Sequence, residues 1–166
     1  MIELIAGNIF SGLAMATDSF SASRKTAKSV LLVQCLSQVF YALSGFVLGG
    51  YSAAVQNIVS LVRNVVAIRG IQKKWIEWAL VISGVVFGLY FNNLGFMGLL
   101  PVLANLEYTL AIFRFKDNEW MLKLAFLVCV ILFIIFNLAI QNYVGFVCNA
   151  VLAVMLISFL IKTRKK

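Results

Sequence analysis

Three long stretches of the chain contain no Lys, Arg, Asp or Glu. They cover residues 29–62, 78–106 and 124–161. About 20 apolar residues let an α-helix cross a bilayer, so each stretch is too long for one crossing and must fold back on itself. A turn signal lies near the middle of each stretch, once the second is extended through Glu107 to Phe113. The three signals are Gly49-Gly50-Tyr51-Ser52, Asn92-Asn93-Leu94-Gly95 and Gln141-Asn142-Tyr143.

Adding the opening segment predicts an all-α membrane protein with seven transmembrane helices, at 3–22, 30–49, 52–69, 75–91, 96–114, 121–140 and 143–162. The composition agrees, because 63% of the residues are hydrophobic and only 12% are charged, whereas a soluble domain is about a quarter charged. The chain begins Met1-Ile2-Glu3 without a basic segment. We therefore expect the first helix to stay in the mature protein rather than to be cleaved as a signal peptide.

The basic residues predict the orientation of these helices, because loops rich in Lys and Arg stay cytoplasmic. Thirteen of the fourteen cations fall at one face, and the fourteenth, Arg63, lies inside helix 3. The N-terminus is therefore predicted outside the cytoplasm and the C-terminus inside. This placement explains the net charge of +8 without a nucleic-acid partner. The thirteen are Arg24, Lys25, Lys28, Arg69, Lys73, Lys74, Arg114, Lys116, Lys123, Lys162, Arg164, Lys165 and Lys166.

An internal repeat appears when the chain is aligned with itself at an offset of 92 residues. The offset places Tyr51 on Tyr143 and Asn57 on Asn149, within a run of five identities in twelve positions. It also superposes the basic loops after helices 1 and 5. We predict two parallel three-helix units, residues 1–70 and 95–166, joined by a linker helix within residues 71–94.

Polar side chains at membrane depth are costly unless they are paired or face water, so they mark candidate sites. Asn57 and Asn149 each lie roughly 18–20 Å from the cytoplasmic cations, near the bilayer midplane. Two amides could offer donors and acceptors to a neutral solute, or they could form an interhelical hydrogen bond that only stabilises the bundle. Further polar residues form stripes that indicate either a water-filled pathway or close packing. They are Gln34, Ser37, Gln38, Tyr41 and Ser44 on helix 2, Asn8, Ser11, Asp18 and Ser19 on helix 1, and Ser60 and Asn64 on helix 3.

Asp18 and Arg63 both fall about 9 Å inside the cytoplasmic edge. They could form an ion pair that acts as a cytoplasmic gate or as a structural clamp. Glu107 lies at a similar depth and has no evident partner.

The sequence offers little for enzymatic chemistry. It contains no histidine, no cluster with metal-ligand spacing and no glycine-rich phosphate loop. We therefore expect no enzyme, no metal and no cofactor. The three cysteines, Cys35, Cys129 and Cys148, lie in apolar runs and are interpreted as small core residues.

The segment Tyr41–Asn57, YALSGFVLGGYSAAVQN, resembles the stretch that joins the second and third helices of the SWEET and SemiSWEET sugar transporters. In that family an aromatic residue precedes a pocket asparagine by sixteen residues. Tyr41 and Asn57 keep this spacing, and Phe133 and Asn149 repeat it. The Ala27-Lys28-Ser29 loop is similar to the family's threonine-lysine-serine loop. The resemblance implies a 3-1-3 helix plan and a substrate site that includes Tyr41 and Phe133.

The run from Gly45 to Arg69, with Leu100-Pro101-Val102 and Phe113-Arg114, resembles the YgjV-like family of bacterial inner-membrane proteins. This resemblance covers most of the chain and implies an inner-membrane location. The chain departs from the sugar transporters near the end of helix 1, where Thr17-Asp18-Ser19-Phe20 replaces their proline-glutamine pair.

These observations predict a passive carrier for a small neutral solute, sugar- or nucleoside-like, in which two units rock around a site of Asn57, Asn149, Tyr41, Phe133, Asn64 and Gln38. No carboxylate is repeated near this site, so transport is expected to need no proton gradient. The alternative is a membrane receptor, scaffold or partner subunit that transports nothing, because the same architecture also serves the KDEL receptor. A wet cavity at the two asparagines favours the carrier, whereas dry packing with backbone hydrogen bonds favours the alternative.

Overall fold

The structure, a computed structural model, describes residues 1–22, 27–71, 73–115 and 118–164. These residues form seven α-helices and no β-strand, so the predicted all-helical fold is confirmed. Every helix end lies within three residues of its predicted position. Arg24, Lys25, Lys116, Lys165 and Lys166 of the basic segments lie outside the described residues. The helices are α1 (Ile2–Ala22), α2 (Ala27–Val47), α3 (Tyr51–Ile68), α4 (Lys74–Tyr90), α5 (Phe96–Arg114), α6 (Glu119–Ala139) and α7 (Tyr143–Arg164).

The outer surface of this bundle is apolar. Within the described residues, two 20-residue stretches are long and apolar enough to cross a membrane by themselves, Trp120–Ala139 and Tyr143–Lys162. Two shorter apolar stretches, Leu31–Val47 and Phe96–Ala111, belong to α2 and α5. Large hydrophobic side chains are exposed on all seven helices, and so extensive an apolar surface is stable against lipid rather than against water. Examples are Ile9, Leu36, Ile58, Trp78, Leu103, Ile131 and Val154.

Six of the helices form a ring. Each packs against the next in the order α1, α2, α3, α5, α6 and α7, and α7 contacts α1. The helix α4 lies outside the ring, against α3 and α5. In this order α3 and α7 occupy opposite positions. We call the end with Met1, the α2–α3 and α6–α7 turns and the α4–α5 loop the N-terminal face, and the other end the C-terminal face.

The α2–α3 and α6–α7 turns have the same backbone hydrogen bonds. Both close the preceding helix with a bond from an N–H to the carbonyl five residues earlier, which is typical of a Schellman motif. Gly50 donates to Gly45 at 2.7 Å, and Asn142 donates to Asn137 at 2.8 Å. The residue before each donor has a positive φ, +73° at Gly49 and +58° at Gln141. The two turns thus share one conformation at positions 92 residues apart.

Gln141→Gly is expected to raise the free energy of unfolding by about 0.5–1 kcal/mol, because a left-handed conformation strains a residue with a Cβ and the extra entropy of unfolded glycine offsets only part of the gain. Unfolding in mixed micelles, followed by circular dichroism, measures the change. Gly49→Gln is the reciprocal control, and should lower stability by a similar amount. Equal stabilities for Gln141→Gly and the parent would contradict this account of the turn.

Candidate functional site

A hydrophobic cluster lies inside the ring of helices at its N-terminal face. Ala53, Leu100, Phe136 and Ile140 form its buried centre, with contributions from α3, α5 and the end of α6. Phe136 is only 1% exposed, and its ring occupies the space beside Gly50, where a Cβ would come within 2.8 Å of the ring. We call this cluster the plug. Partly buried residues that pack against it are Leu48, Leu94, Leu132 and Phe133.

A polar network beside the plug joins α1 and α2 to the α6–α7 turn. Its bonds run in one direction: Asn142 donates to Ser11 at 2.8 Å, the Ser11 and Ser44 hydroxyls are 2.8 Å apart, and Ser44 donates to the Gly7 carbonyl at 2.8 Å. Asn142 Nδ2 also donates to Asn137 Oδ1, and its Oδ1 caps α7 by accepting from the Gly145 N–H. Ser11, Ser44 and Asn142 are buried. The N-terminal face is therefore sealed by hydrogen bonds as well as by the plug.

Asn8 adds a second connection between α1 and the α6–α7 turn. Its amide accepts from the Val144 N–H at 3.0 Å and donates to the Gln141 carbonyl at 3.1 Å. Asn8, Ser11 and Ser44 belong to the polar stripes. From the sequence these stripes indicated either a water-filled pathway or close packing. In the structure these three residues join helices to each other.

Asn57 and Asn149 lie on the inward faces of α3 and α7. Asn57 follows the buried Ala53 by one helical turn, and Asn149 lies one turn from both Gly145 and Ala153, which are buried. Each asparagine is the seventh residue of its helix, so both amides lie roughly 9 Å below the N-terminal face. Both side chains are only half-buried, and neither forms a hydrogen bond with another residue in the described part of the chain. Two half-buried amides thus lie at one depth on opposite helices, just beneath the plug.

Gln38 and Asn64 share this property with Asn57 and Asn149. Gln38 is half-buried on α2 and Asn64 is buried on α3, yet neither side chain forms a hydrogen bond within the described ranges. The amides of the sealing network, by contrast, are all bonded. All four amides of the predicted substrate site therefore lack a hydrogen-bond partner among the described residues.

The aromatic pair of the predicted site lies on α2 and α6. The Tyr41 phenol donates a hydrogen bond to the Asp18 carboxylate and lies within electrostatic range of Cys148 on α7. Because α2 and α7 are not neighbours in the ring, Tyr41 points toward the interior. Phe133 packs against the plug from α6.

The structure does not bring Asp18 and Arg63 together. Asp18 accepts hydrogen bonds from Ser37 and Tyr41 on α2, while Arg63 donates to Thr109 on α5 at 3.3 Å. The reason is the ring order, in which α2 separates α1 from α3. An ion pair between these two residues is therefore not formed in this conformation.

A polar seam between α3, α4 and α5 was not predicted from the sequence. Gln56 donates to the Gly84 carbonyl at 2.7 Å and accepts from Asn105 at 2.6 Å, and Ser60 lies 3.5 Å from Asn105. The spacing of Gly84 and Gly88 on α4 is the signal that could have found it, because small residues four apart let helices approach closely. A Cβ on Gly88 would come within 2.4 Å of the Gln56 amide nitrogen.

Glu107 lies outside this seam. One of its carboxylate oxygens, Oε2, is buried and has no hydrogen-bond partner among the described residues.

The seven described helices, with large hydrophobic side chains exposed on each, are consistent with an α-helical membrane protein. The family model Imp-YgjV, described as bacterial inner membrane protein, matches residues 5–166. The chain belongs to this family, which confirms the YgjV-like resemblance and the inner-membrane location. No curated protein and no solved structure matches the chain.

Proposed function

We propose that this protein carries a small neutral solute across the bacterial inner membrane by alternating access. The observation that carries the proposal is the pair Asn57 and Asn149, two half-buried amides at one depth on opposed helices that form no hydrogen bond with a described residue. An amide offers two donors and an acceptor oxygen, and leaving them unmet at membrane depth is costly. A hydrogen-bonding solute, or water in its absence, satisfies them.

The matched halves of the chain support a carrier built from two parallel units. The helix ends Val47 and Ala139, and the helix starts Tyr51 and Tyr143, are each 92 residues apart, as are the two turns of shared conformation. The contact of α3 with α5 corresponds under this offset to that of α7 with α1. The position of α4 outside the ring fits a linker. Carriers with such repeats place their substrate site where the repeats meet.

The sealed N-terminal face supports a conformation open toward the C-terminal face. The plug and the sealing network both lie at the N-terminal face. Exposed cations at the other face, Arg69, Lys73, Lys74 and Arg114, favour a cytoplasmic location for it. In this proposal the protein is in its inward-open state, with the N-terminus outside.

The amide side chains of the proposed site support an uncharged, hydroxyl-rich solute such as a sugar or nucleoside. Amide groups bind hydroxyls without fixing a charge. The Asp18 carboxylate beside Tyr41 is engaged by the hydroxyls of Ser37 and Tyr41, so its role in this scheme is to orient the Tyr41 ring.

Proteoliposomes test this function. Uptake of radiolabelled sugars and nucleosides is measured for the parent protein and for Asn57→Ala with Asn149→Ala. Each lost hydrogen bond is worth about 0.5–1.5 kcal/mol, so the double variant should lose uptake by about tenfold or more. Asn93→Ala, which removes an exposed amide from the α4–α5 loop, is the matched control and should retain uptake. Absence of uptake by the parent, or equal uptake by the double variant, would sink the proposal.

A further inference from the structure

Arg63 is a cation inside the bundle that forms no ion pair among the described residues. Its guanidinium is surrounded by protein and donates one hydrogen bond, to Thr109. Within the described parts of the chain no carboxylate forms an ion pair with it. Tyr108 and Cys129, which lie within electrostatic range, are uncharged types at neutral pH. Since a guanidinium has five N–H donors and is costly in a membrane without an anion, Arg63 calls for an external partner.

A narrow cleft between α3, α4 and α5 lies beside Arg63 and adjoins a groove on the lipid-facing surface. The cavity beside Arg63 has a volume of about 10 Å³, which is room for about one water molecule. Val59 and Leu80 line both this cleft and a larger groove of about 300 Å³ on the outer side of α3 and α4. The groove is walled by aliphatic and aromatic side chains, and the hydroxyl of Ser83 within it is bonded to the Leu80 carbonyl. A small cavity that holds one cation thus adjoins an apolar groove.

The order of these parts along the membrane normal matches a phospholipid. Arg63 lies six residues before Arg69, roughly 9 Å inside the C-terminal face, whereas the groove extends toward the N-terminal face as far as Val55 and Phe91. Trp75 and Trp78 are exposed at the C-terminal-face end of α4, next to Lys73 and Lys74, as in an interfacial belt. A lipid in the leaflet at the C-terminal face presents its phosphate at the level of this belt and its acyl chains deeper in the membrane.

We propose that the α3–α4–α5 cleft binds one anionic phospholipid, with the phosphate on Arg63 and an acyl chain in the α3–α4 groove. Charge complementarity commits the site to an anionic lipid, because a guanidinium pairs with phosphate through two parallel hydrogen bonds. The cavity is too small for a phosphate, so the headgroup docks at the mouth of the cleft and Arg63 turns from Thr109 toward it. This site does not depend on the proposed transport.

Native mass spectrometry of the full-length protein tests the site, with phosphatidylglycerol or phosphatidylethanolamine added to the detergent-solubilised sample. We expect one phosphatidylglycerol to be retained about tenfold more than phosphatidylethanolamine, and Arg63→Gln to remove most of this preference. Arg69→Gln is the matched control, since it removes the same charge from an exposed position at the C-cap of the same helix and should leave the preference unchanged. Equal retention of both lipids, or equal effects of the two substitutions, would overturn the proposal.

A second variant keeps Arg63 and obstructs the groove, so the proposal stays testable if Arg63→Gln does not fold. Ser83→Phe should lower phosphatidylglycerol retention severalfold by filling the space between α3 and α4. Inorganic phosphate, which has no acyl chain, should not compete at equal concentration. Unchanged lipid retention in Ser83→Phe, or full competition by inorganic phosphate, would show that the groove holds no lipid chain.

Discussion

A cysteine in place of Asn149 is expected to react with a charged, membrane-impermeant methanethiosulfonate from the cytoplasmic side and to be protected from the outside. The same result is expected for Asn57→Cys. The reason is that both positions lie beneath the plug, with sealing hydrogen bonds between them and the N-terminal face. If the outward-open state is the minor state, at 10% or less, reaction rates from the two sides should differ by at least about tenfold.

The measurement compares inside-out with right-side-out vesicles. Cys35, Cys129 and Cys148 are first replaced by alanine, because Cys148 adjoins the test position and Cys35 is only half-buried. Asn93→Cys, in the exposed α4–α5 loop, is the matched control and should react from the outside. Reaction of the test positions from neither side would mean that the two amides are packed dry, and would favour a protein that transports nothing. Faster reaction from the outside would contradict the inward-open assignment.

Phe136→Ala is expected to produce the largest loss of stability among single side-chain truncations at the N-terminal face. Phe136 is the centre of the plug and fills the space beside Gly50. Removing a buried phenylalanine costs about 3–5 kcal/mol in soluble proteins. In a bilayer the unfolded helices remain in lipid, so the transfer contribution largely disappears and packing remains, which leaves about 2–3 kcal/mol.

Phe136→Ala should also change the side of the membrane from which the site is accessible. Without the Phe136 ring, the interior is open above Asn57 and Asn149, so cysteines there should become reactive from the outside. Stability is measured by unfolding in mixed micelles and reactivity by the vesicle assay. Ile135→Ala is the control, since Ile135 is a neighbour on α6 that faces lipid, and it should change stability by less than about 0.5 kcal/mol. A destabilised Phe136→Ala protein whose test cysteines remain protected would show that the plug is not the seal.

Local features of this fold were predictable because the bilayer limits the choices at each step. Charge-free runs of known length give the number of helices, and the turn signals at Gly49 and Gln141 lie where the structure has its positive φ angles. Asn57 and Asn149 were singled out because the 92-residue offset superposes them at one depth. The substrate site built on them stays a prediction.

The neighbours of each helix were not predictable in the same way. Helices 1, 2 and 3 each have a polar stripe, and the sequence does not state which other helix each stripe meets. Asp18 and Arg63 were paired on depth alone, whereas the ring order places α2 between them. The bond between Gln56 and Asn105 joins residues 49 apart and depends on the same order. Contacts between helices distant in sequence are set by the packing of the whole ring.

In the proposed carrier, the two three-helix units meet at the α3–α5 and α1–α7 contacts. Between α3 and α5, side-chain hydrogen bonds extend from Gln56 to Arg63, whereas Asn8 and Ser11 bond α1 to Val144 and to the α6–α7 turn near the N-terminal face. In this scheme the α3–α5 contact acts as the hinge. The bonds of Asn8 and Ser11 hold the α1–α7 contact together near the N-terminal face. Relative motion of the two units should then be a rotation about the α3–α5 contact. Its amplitude should be greatest in the part of α1 near the C-terminal face.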